Sequence, residues 1–479
     1  MTGGQPVEGA LDTDTIVRQV LAENVARVVV VTDDPNRTQV SVPQVPILAR
    51  AELPQIQSDL AKVSGTTVIV YEQVCAAEKR RRRKRGRMSE PSQRPVINPA
   101  VCEGCGDCSL QSNCVSILPL ETAMGLKRRI DQSNCNKDFS CIEGFCPSFV
   151  MLDGAKPRRS SQSIDPEQLA ALPLRDPAVP ADCDILITGV GGTGVVTIGS
   201  VLAMAAHLVG QRAATYNMTG LAQKGGAVYS HLRLMSGGRQ AISPLVGPGQ
   251  ADLLLGCDLV TAATADALTA CATGRTNAVL DIAPMPTAAF QSQRDFRLDP
   301  LAMSERVGQA VSQSSGLPAG DISERLLGDR IGANMMLVGY AYQQGWLPLP
   351  LDAICKALIL NGAAVEFNLN ALNLGRLASH NPKAIDQLMG VSEPRTISLD
   401  LDQLIVQRSA HLTAYQNKAL AQRFRTTIDA LRETEARTCD GASEVTRAAT
   451  IALSRVMSYK DEYEVARLYS TDDWRRMIA

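Results

Sequence analysis

The segment DILITGVGGTGVVTIGSVLAMAAHLV, residues 184–209, decides the fold of the central part of the chain. Its first seven residues are an apolar run that predicts a buried strand, and its last fifteen predict a long apolar helix. The turn between them has the glycine spacing G-x-G-x-x-G with a fourth glycine inside it: Gly189, Gly191, Gly192 and Gly194. Such a turn offers backbone N–H groups and a helix N-terminus to an anion. The segment therefore predicts a Rossmann-like α/β domain.

The sequence does not decide which ligand, if any, binds at this turn. A nicotinamide dinucleotide site normally adds an acidic residue roughly 20 positions further on, which holds the ribose. No Asp or Glu stands between Asp184 and Asp252, which counts against NAD, although Arg212 leaves a 2′-phosphate reading open. The glycines can equally serve only the tight packing of strand against helix.

A second glycine pair follows the next predicted strand, in TGLAQKGGAVYSH. Lys224 stands beside Gly225 and Gly226, and an ammonium next to backbone donors suits a phosphate or a carboxylate. The alternative is a solvated loop. We treat the three residues as candidate cofactor-binding residues.

Alternating strands and helices continue to about residue 383, so residues 182–383 are predicted to form one α/β domain. ADLLLGC and TNAVLDI are two of its predicted strands. Residues 384–479 carry helical periodicity and predict a helical carboxy-terminal appendix. Residues 151–181 are rich in Pro, Arg and Ser and predict a linker.

The amino-terminal region, residues 1–90, is also of α/β type. VARVVVVT (25–32) and TTVIVYE (66–72) predict buried strands, and the amphipathic segment 53–64 predicts a crossover helix. This region is too small for a complete doubly wound domain. We interpret it as the end of a larger sheet whose earlier strands are elsewhere.

Seven of the thirteen cysteines crowd into the region between Cys102 and Cys146, inside a predicted module of residues 91–150. Cys102, Cys105 and Cys108 have the spacing C-x₂-C-x₂-C, which wraps three thiolates around one [4Fe–4S] cubane. In two-cluster ferredoxins the fourth ligand comes from a distant Cys-Pro, and here Cys146 precedes a proline. The module is therefore predicted to be a small ferredoxin-like α+β domain.

The second half of the module is irregular. Cys135 and Cys141 are six positions apart, and Asp138 stands where a middle cysteine would be. With Cys114, these residues complete a second ligand set of three thiolates and one oxygen. Oxygen is the harder and weaker ligand for iron, so this cluster is expected to be labile or to fall to a three-iron form. A structural zinc site is the alternative for clustered cysteines.

The composition is that of a folded protein, with 45% apolar and 20% charged residues and no long apolar stretch or export signal, so we expect a cytoplasmic location. The net charge of −1 hides a basic run at residues 79–87. Such a run can attract nucleic acid. It can also attract anionic clusters or phosphorylated cofactors, or form a solvated helix face.

Several blocks of the sequence closely resemble the carboxy-terminal half of indolepyruvate:ferredoxin oxidoreductases of the long, fused type, which are thiamine-dependent 2-oxoacid:ferredoxin oxidoreductases. The blocks are CAAEKRRRRKRG, CEGCGDCSLQSNC, QSNCNKDFSCIEGFCPSF, GVGGTGVVTIGSVLAMAAH and TGLAQKGGAVYSHLR. The resemblance runs from about residue 15 to the final YKDEYEVARLY. It implies a gamma-type catalytic domain at 182–383, a two-cluster ferredoxin domain at 91–150 and the tail of a thiamine-binding domain at 1–90.

The resemblance also implies an activity. The family decarboxylates a 2-oxoacid on thiamine diphosphate, passes electrons singly through iron–sulfur clusters to ferredoxin, and transfers the acyl group to coenzyme A. The chain has no G-D-G motif with its Asn-rich partner, so thiamine diphosphate and magnesium are expected from a partner polypeptide or a missing half, in a hetero-oligomer. Cys75 then resembles the fourth ligand of a third cluster. No membrane or nucleic-acid partner is expected.

Two other functions remain open on the sequence alone. The first is a non-catalytic iron–sulfur electron-transfer protein whose α/β domain binds a flavin or a nicotinamide. The second is a nucleic-acid-binding protein with a structural cluster, which would rest on the basic run.

Overall fold

The computed structural model describes residues 9, 11–156, 166–177, 181–219, 226–236, 243–283, 285, 293, 298–390, 399–439 and 442–478. The predicted residues Lys224 and Gly225 lie outside this set. The chain divides into two compact units, residues 1–90 and 91–479. Each unit is described by itself.

The first unit is a three-stranded parallel sheet in the order β2-β1-β3. Its elements are helix α1 (Thr13–Ala22), strand β1 (Arg27–Thr32), strand β2 (Ile47–Ala49), helix α2 (Leu53–Leu60), strand β3 (Thr67–Glu72) and helix α3 (Ala76–Lys84). Alternate valines of β1 face opposite sides of the sheet, with Val28 and Val30 in one core and Val29 and Val31 in another. The two predicted strands and the crossover helix are present.

The second unit begins with the cysteine-rich module. Strand β4 (Gln93–Ile97) pairs antiparallel with β7 (Phe149–Asp153), and β5 (Ile117–Thr122) pairs antiparallel with β6 (Gly125–Ile130). Helix α4 (Asp107–Ser112) lies between β4 and β5. Two antiparallel ladders thus close the module, one joining its ends and one in its middle.

A six-stranded sheet in the order β13-β12-β11-β8-β10-β9 forms the centre of the second unit. Its strands are β8 (Cys183–Val190), β9 (Arg212–Thr219), β10 (Ala227–Met235), β11 (Leu253–Gly256), β12 (Asn277–Asp281) and β13 (Gln313–Leu317). Strands β8, β11, β12 and β13 are parallel, as a Rossmann-like fold requires, whereas β10 runs antiparallel to both β8 and β9. The sheet is therefore mixed, because β10 enters beside β8.

Helices cover this sheet on both sides. They are α5 (Pro166–Ala170), α6 (Val195–Leu208), α7 (Leu259–Ala262), α8 (Ala265–Thr269), α9 (Pro300–Ala310), α10 (Ala319–Leu327), α11 (Ala333–Gln343), α12 (Leu351–Asn361), α13 (Val365–His380) and α14 (Pro382–Leu388). Helix α6 fills the main core with Ile198, Val201 and Leu202. Its opposite face is exposed, although it carries the apolar residues Met204 and Leu208.

Helices α11 and α13 cross at two glycines. A Cβ on Gly339 would lie 2.9 Å from the carbonyl carbon of Leu372, and one on Gly375 would lie 2.6 Å from the carbonyl carbon of Met336. Both glycines are buried, and Leu372 and Met336 belong to the main core. The two backbones can pack this closely only because neither glycine carries a side chain.

The carboxy-terminal region is helical, as the sequence predicts. It consists of α15 (Leu401–Tyr415), α16 (Lys418–Thr438), α17 (Glu444–Met457), α18 (Glu462–Tyr469) and α19 (Asp472–Ile478). Its own core contains Leu412, Phe424 and Ile428. Within the described residues of the whole chain, no helix is long and apolar enough to cross a membrane.

Candidate functional site

The first predicted cysteine set is gathered in one place. Burial, together with the neighbouring thiols of Cys102, Cys146 and Cys105, raises the pKa of the Cys108 thiol to about 12. All four cysteines are free thiols. The structure thus brings together four residues that span more than forty positions of sequence.

The ladder between β4 and β7 accounts for this proximity. It continues beyond the strands, where the amide of Asn98 donates to the carbonyl of Ser148 at 2.8 Å. The amide of Cys102 then donates to the carbonyl of Asn98 at 2.9 Å, which turns the chain into the first cysteine loop. Because Ser148 is two residues after Cys146, the two ligand-bearing segments lie side by side.

The second predicted set is gathered in the same way. Burial raises the pKa of Cys141 to about 12, with further contributions from Cys114, Cys135, Cys108 and Asp138. Burial likewise raises the pKa of Cys135, and Cys114 and Asp138 add to the shift. Since Cys108 belongs to the first set, the two sets lie within electrostatic range of each other.

The hairpin of β5 and β6 positions this second set. Its ladder continues to Asp131, whose amide donates to the carbonyl of Ser116 at 2.8 Å. The buried carboxylate of Asp131 then accepts from the amides of Ser133 at 2.8 Å and Asn134 at 3.2 Å. These bonds fold the chain that leads to Cys135 against the segment that follows Cys114.

Asp138 is exposed and stands in a strained loop. Its neighbours Lys137 and Phe139 have φ values of 53° and 62°, in the left-handed region that non-glycine residues rarely adopt. The carboxylate accepts from the hydroxyl of Ser140 at 3.1 Å. Such strain persists where the surrounding structure holds a loop in one conformation, often at a functional site.

The donor chemistry of both sets fits iron–sulfur clusters. The amide of Gly104 donates to Cys102 Sγ at 3.3 Å, and the amides of Ser116 and Lys137 donate to Cys114 and Cys135 Sγ at 3.4 Å each. Cys146 Sγ lies 3.0 Å from the hydroxyl of Ser148. Hydrogen bonds to sulfur stabilise thiolates and tune the potential of a cluster.

A single metal ion would need a different arrangement. Within the described ranges, no three His, Cys, Asp or Glu side chains are placed to hold one ion. A cubane requires its ligands to bind different irons, so they do not converge on one point. The assignment of the nine predicted metal ligands stays a prediction.

Two buried cations near the first set were not predicted from the sequence. Lys127 Nζ donates to the carbonyl of Cys102 at 2.7 Å, and the charge of Arg128 opposes the rise in the Cys108 pKa. Both side chains lie on β6 and are buried. The only sequence signal was a run of basic residues in a short strand, which ordinarily indicates a solvated face.

The glycines of the glycine-rich turn have different structural roles. A Cβ on Gly189 would lie 2.5 Å from Val195 Cγ2, so this glycine serves the packing of strand against helix. Gly192 and Gly194 have φ values of 87° and 95°, which supplies the turn. The amide of Gly191 donates to the carbonyl of Gly226 at 2.8 Å. That amide is therefore already engaged, and the helix N-terminus at Val195 remains the part of the turn suited to an anion.

The fold does not allow Arg212 to bind the 2′-phosphate of a dinucleotide held at the glycine-rich turn. Arg212 lies opposite Met235 at the start of β9, whereas the glycine turn adjoins the other end of β10 at Ala227. Eight residues of strand separate the two ends by roughly 25 Å. Arg212 instead lines an open groove with Met204 and His207.

Cys75 and the basic run lie in the first unit. Cys75 directly precedes helix α3, where its carbonyl accepts from the amide of Lys79 at 2.8 Å. The side chain of Lys79 pairs with Asp33 at 3.2 Å, and that of Arg82 pairs with Glu78 at 2.9 Å. Part of the basic run is therefore neutralised by carboxylates of its own unit.

An ionic network links the cysteine module to the central sheet. Arg129 on β6 contacts Asp321 at 2.8 Å and Glu324 at 3.0 Å on helix α10. The buried Arg330 contacts the same two carboxylates at 2.5 and 3.2 Å. Two arginines therefore share two carboxylates, which fixes the hairpin of the second cysteine set against the sheet domain.

Comparison with known families matches two parts of the chain. Residues 184–378 match the family described as pyruvate ferredoxin/flavodoxin oxidoreductase. Residues 401–479 match DUF6537, a family of unknown function. The first match covers nearly all of the mixed sheet and helices α6 to α12, with most of α13.

A curated relative and several solved structures are each similar to about two fifths of the chain. Indolepyruvate oxidoreductase subunit IorB of Archaeoglobus fulgidus is 27% identical over 211 residues, which cover 42% of this chain and 98% of the relative. Pyruvate oxidoreductase subunit PORC from Thermotoga maritima is 16% identical, with a TM-score of 0.31, over 41% of this chain and 95% of that one. The gamma subunit of keto/oxoacid ferredoxin oxidoreductase from Geobacter sulfurreducens is 20% identical, with a TM-score of 0.30, over 42% of this chain and 97% of that one. Structural likeness this low adds nothing to the sequence match.

Proposed function

We propose that this chain, whose residues 184–378 match the pyruvate ferredoxin/flavodoxin oxidoreductase family, is the iron–sulfur and gamma part of an indolepyruvate-type 2-oxoacid:ferredoxin oxidoreductase. One observation supports the proposal above all. Within each of the two cysteine sets, the thiols are close enough to influence one another electrostatically. Both sets lie in the same compact unit as the domain that matches the family. Cys108 of the first set acts electrostatically on Cys141 of the second, which supports a relay of electrons between two clusters.

In this proposal the polypeptide holds, orients and tunes two clusters. Cys102, Cys105, Cys108 and Cys146 bind the first, and Cys114, Cys135, Asp138 and Cys141 bind the second. Clusters of this kind accept and release electrons one at a time, which suits transfer to an external ferredoxin. Burial of the thiols and N–H donors to sulfur are the contributions of this chain's own residues.

The remaining parts of the reaction need a partner. A thiamine-binding subunit or half would supply thiamine diphosphate and magnesium, and Cys75 would complete a third cluster at its border. The helix N-terminus after Gly194, together with Lys224, Gly225 and Gly226, is the proposed anion site for coenzyme A or the 2-oxoacid. We expect this hetero-oligomer to work in the cytoplasm, where thiols stay reduced and available to iron.

Anaerobic purification of the native complex tests the proposal. We expect a partner that binds thiamine diphosphate, and about eight iron and eight acid-labile sulfide atoms per copy of this chain from its two cubanes. Cys108→Ser should remove about half of that iron, whereas Cys439→Ser, at an exposed cysteine outside the module, should remove none. A colourless chain that holds only zinc would contradict the proposal.

Asp138→Cys tests the mixed ligand set. A fourth thiolate should convert a labile cluster into a robust one, so that brief oxidation removes about one iron per chain from the native protein and none from the variant. The electron paramagnetic resonance signal of a three-iron form should disappear in parallel. Asp153→Cys adds a thiol at another exposed aspartate of the module and should change neither measurement. An unchanged spectrum in Asp138→Cys would reject Asp138 as a ligand.

A further inference from the structure

The helical region 401–478 has no assigned role, yet it contacts the cysteine module at specific points. Arg408 on α15 donates to the carbonyl of Ala123 at 3.0 Å and also contacts Met124. Ala123 and Met124 form the tip of the β5–β6 hairpin. This contact fixes the helical region against the module at one end.

The second contact lies at the first cysteine loop. Lys460 Nζ is 2.6 Å from a carboxylate oxygen of Glu103 and donates to the carbonyl of Val101 at 3.2 Å. Arg455 reaches the other oxygen of Glu103 at 3.2 Å. Val101 and Glu103 are the two neighbours of Cys102. The side chain of Lys460 is 17% exposed and that of Glu103 is 41% exposed, so the ammonium of this ion pair is largely shielded from water while the carboxylate is partly solvated.

The third contact lies at the distant ligand of the same set. The hydroxyl of Tyr469 on α18 donates to the carbonyl of Pro147 at 2.6 Å. Pro147 directly follows Cys146. The ring of Tyr469 packs edge-on against the ring of Trp474, with 5.2 Å between the ring centroids, and Trp474 is buried. A buried aromatic partner therefore holds the hydroxyl in place.

The helical region thus contacts the backbone beside Cys102 and the backbone beside Cys146. These two cysteines come from opposite ends of the module and must stay together to share one cluster. A clamp that fixes both segments lowers the entropy lost when a cluster binds. Residues behind metal ligands commonly matter about 10–100-fold for metal retention.

We propose that residues 401–478 form a clamp that retains the cluster of Cys102, Cys105, Cys108 and Cys146. The clamp acts through Lys460 on the first loop and Tyr469 on the Cys146 segment. This inference rests on the proposed function only in assuming that the thiols hold a cluster. It assigns to the helical region a positioning role rather than a part in substrate chemistry.

Lys460→Met and Tyr469→Phe, singly and together in the full chain, test the clamp. Both changes keep the size of the side chain and remove the polar contact. Iron loss to a chelator, followed by visible absorbance and electron paramagnetic resonance, should be at least about tenfold faster for the first cluster in the double variant. Lys460→Arg should restore retention.

Two variants in the same region serve as matched controls. Arg432→Met removes an exposed ion pair with Asp402, and Tyr463→Phe removes a hydroxyl from a side chain that is 79% exposed on α18. Both should lose iron at the wild-type rate. Wild-type retention in Lys460→Met/Tyr469→Phe, or equal loss in the controls, would overturn the clamp.

Hydrogen exchange gives a readout that does not depend on iron. Amides of residues 101–108 and 146–150 should exchange faster in the double variant, while those of the central sheet should not change. If the wild-type chain binds no iron, the proposed function fails, and this comparison alone tests whether the helical region fixes the two segments. Unchanged exchange at both segments would overturn it.

Discussion

Gly339→Ala is expected to lower the free energy of unfolding of the second unit by about 3 kcal/mol, at the upper end of overpacking. The new Cβ would lie closer than 3.0 Å to the carbonyl of Leu372 and 3.2 Å from the amide nitrogen of Arg376. These are backbone atoms of α13, so no side chain can rotate away. Relief would require α11 and α13 to separate inside the main core.

Urea unfolding followed by tryptophan fluorescence measures this effect. The two tryptophans of the chain, Trp346 and Trp474, both belong to the second unit. Gly308→Ala is the matched control, because Gly308 also lies within a helix, α9, and its Cβ would meet nothing within 4 Å. That control should gain about 0.5–1 kcal/mol from helix propensity. If both variants gained stability alike, the close crossing of α11 and α13 would be wrong.

The strand, turn and helix of residues 184–208 could be predicted because every signal in that segment is local. An apolar strand, a turn rich in glycine and an apolar helix follow one another without interruption. The same holds for β1, α2 and β3 in the first unit. Strand β2 was missed because three residues are too few to show a period. Helix α1 was missed although Asp12 caps it by accepting from the amide of Thr15.

The position of β10 could not be predicted from the sequence. Residues 227–235 form a strand by pattern, but nothing local says that it lies between β8 and β9 and runs against both. Strand neighbours are decided by packing across the whole sheet. The exclusion of Arg212 from the glycine turn depends on this arrangement. It therefore became evident only with the topology.

The cysteine sets were partly accessible to sequence reasoning. Cys102, Cys105 and Cys108 are grouped by their spacing, and the Cys-Pro at Cys146 gave the fourth member. The ladder of β4 and β7 supplies the physical reason for that proximity. The buried cations Lys127 and Arg128 and the clamp residues were not accessible, because their partners are distant in sequence. Whether the sets bind clusters stays a prediction.

Gly104→Ala is expected to abolish the first cluster and to leave the second, lowering iron from about eight to about four atoms per chain. Gly104 stands between Cys102 and Cys105 with a φ of 68°, where a non-glycine residue pays about 1–2 kcal/mol. Its Cβ would also lie closer than 3.0 Å to the carbonyl oxygen of Leu126 on β6. The same strand is tied to the loop by the bond from Lys127 to the Cys102 carbonyl. Iron and sulfide analysis with electron paramagnetic resonance measures the loss.

Gly125→Ala is the control that distinguishes the two causes proposed for Gly104→Ala, the steric clash of the new Cβ and the backbone strain at positive φ. Gly125 has a φ of 92° at the turn of the same hairpin, and its Cβ would meet nothing within 4 Å. It therefore carries a comparable conformational penalty without a clash, and we expect this variant to keep about eight irons. Full iron in Gly104→Ala would mean that the loop can yield, and equal loss in Gly125→Ala would assign the effect to strain. Loss in Gly104→Ala alone would mean that cluster binding depends on the close approach of the first cysteine loop to β6.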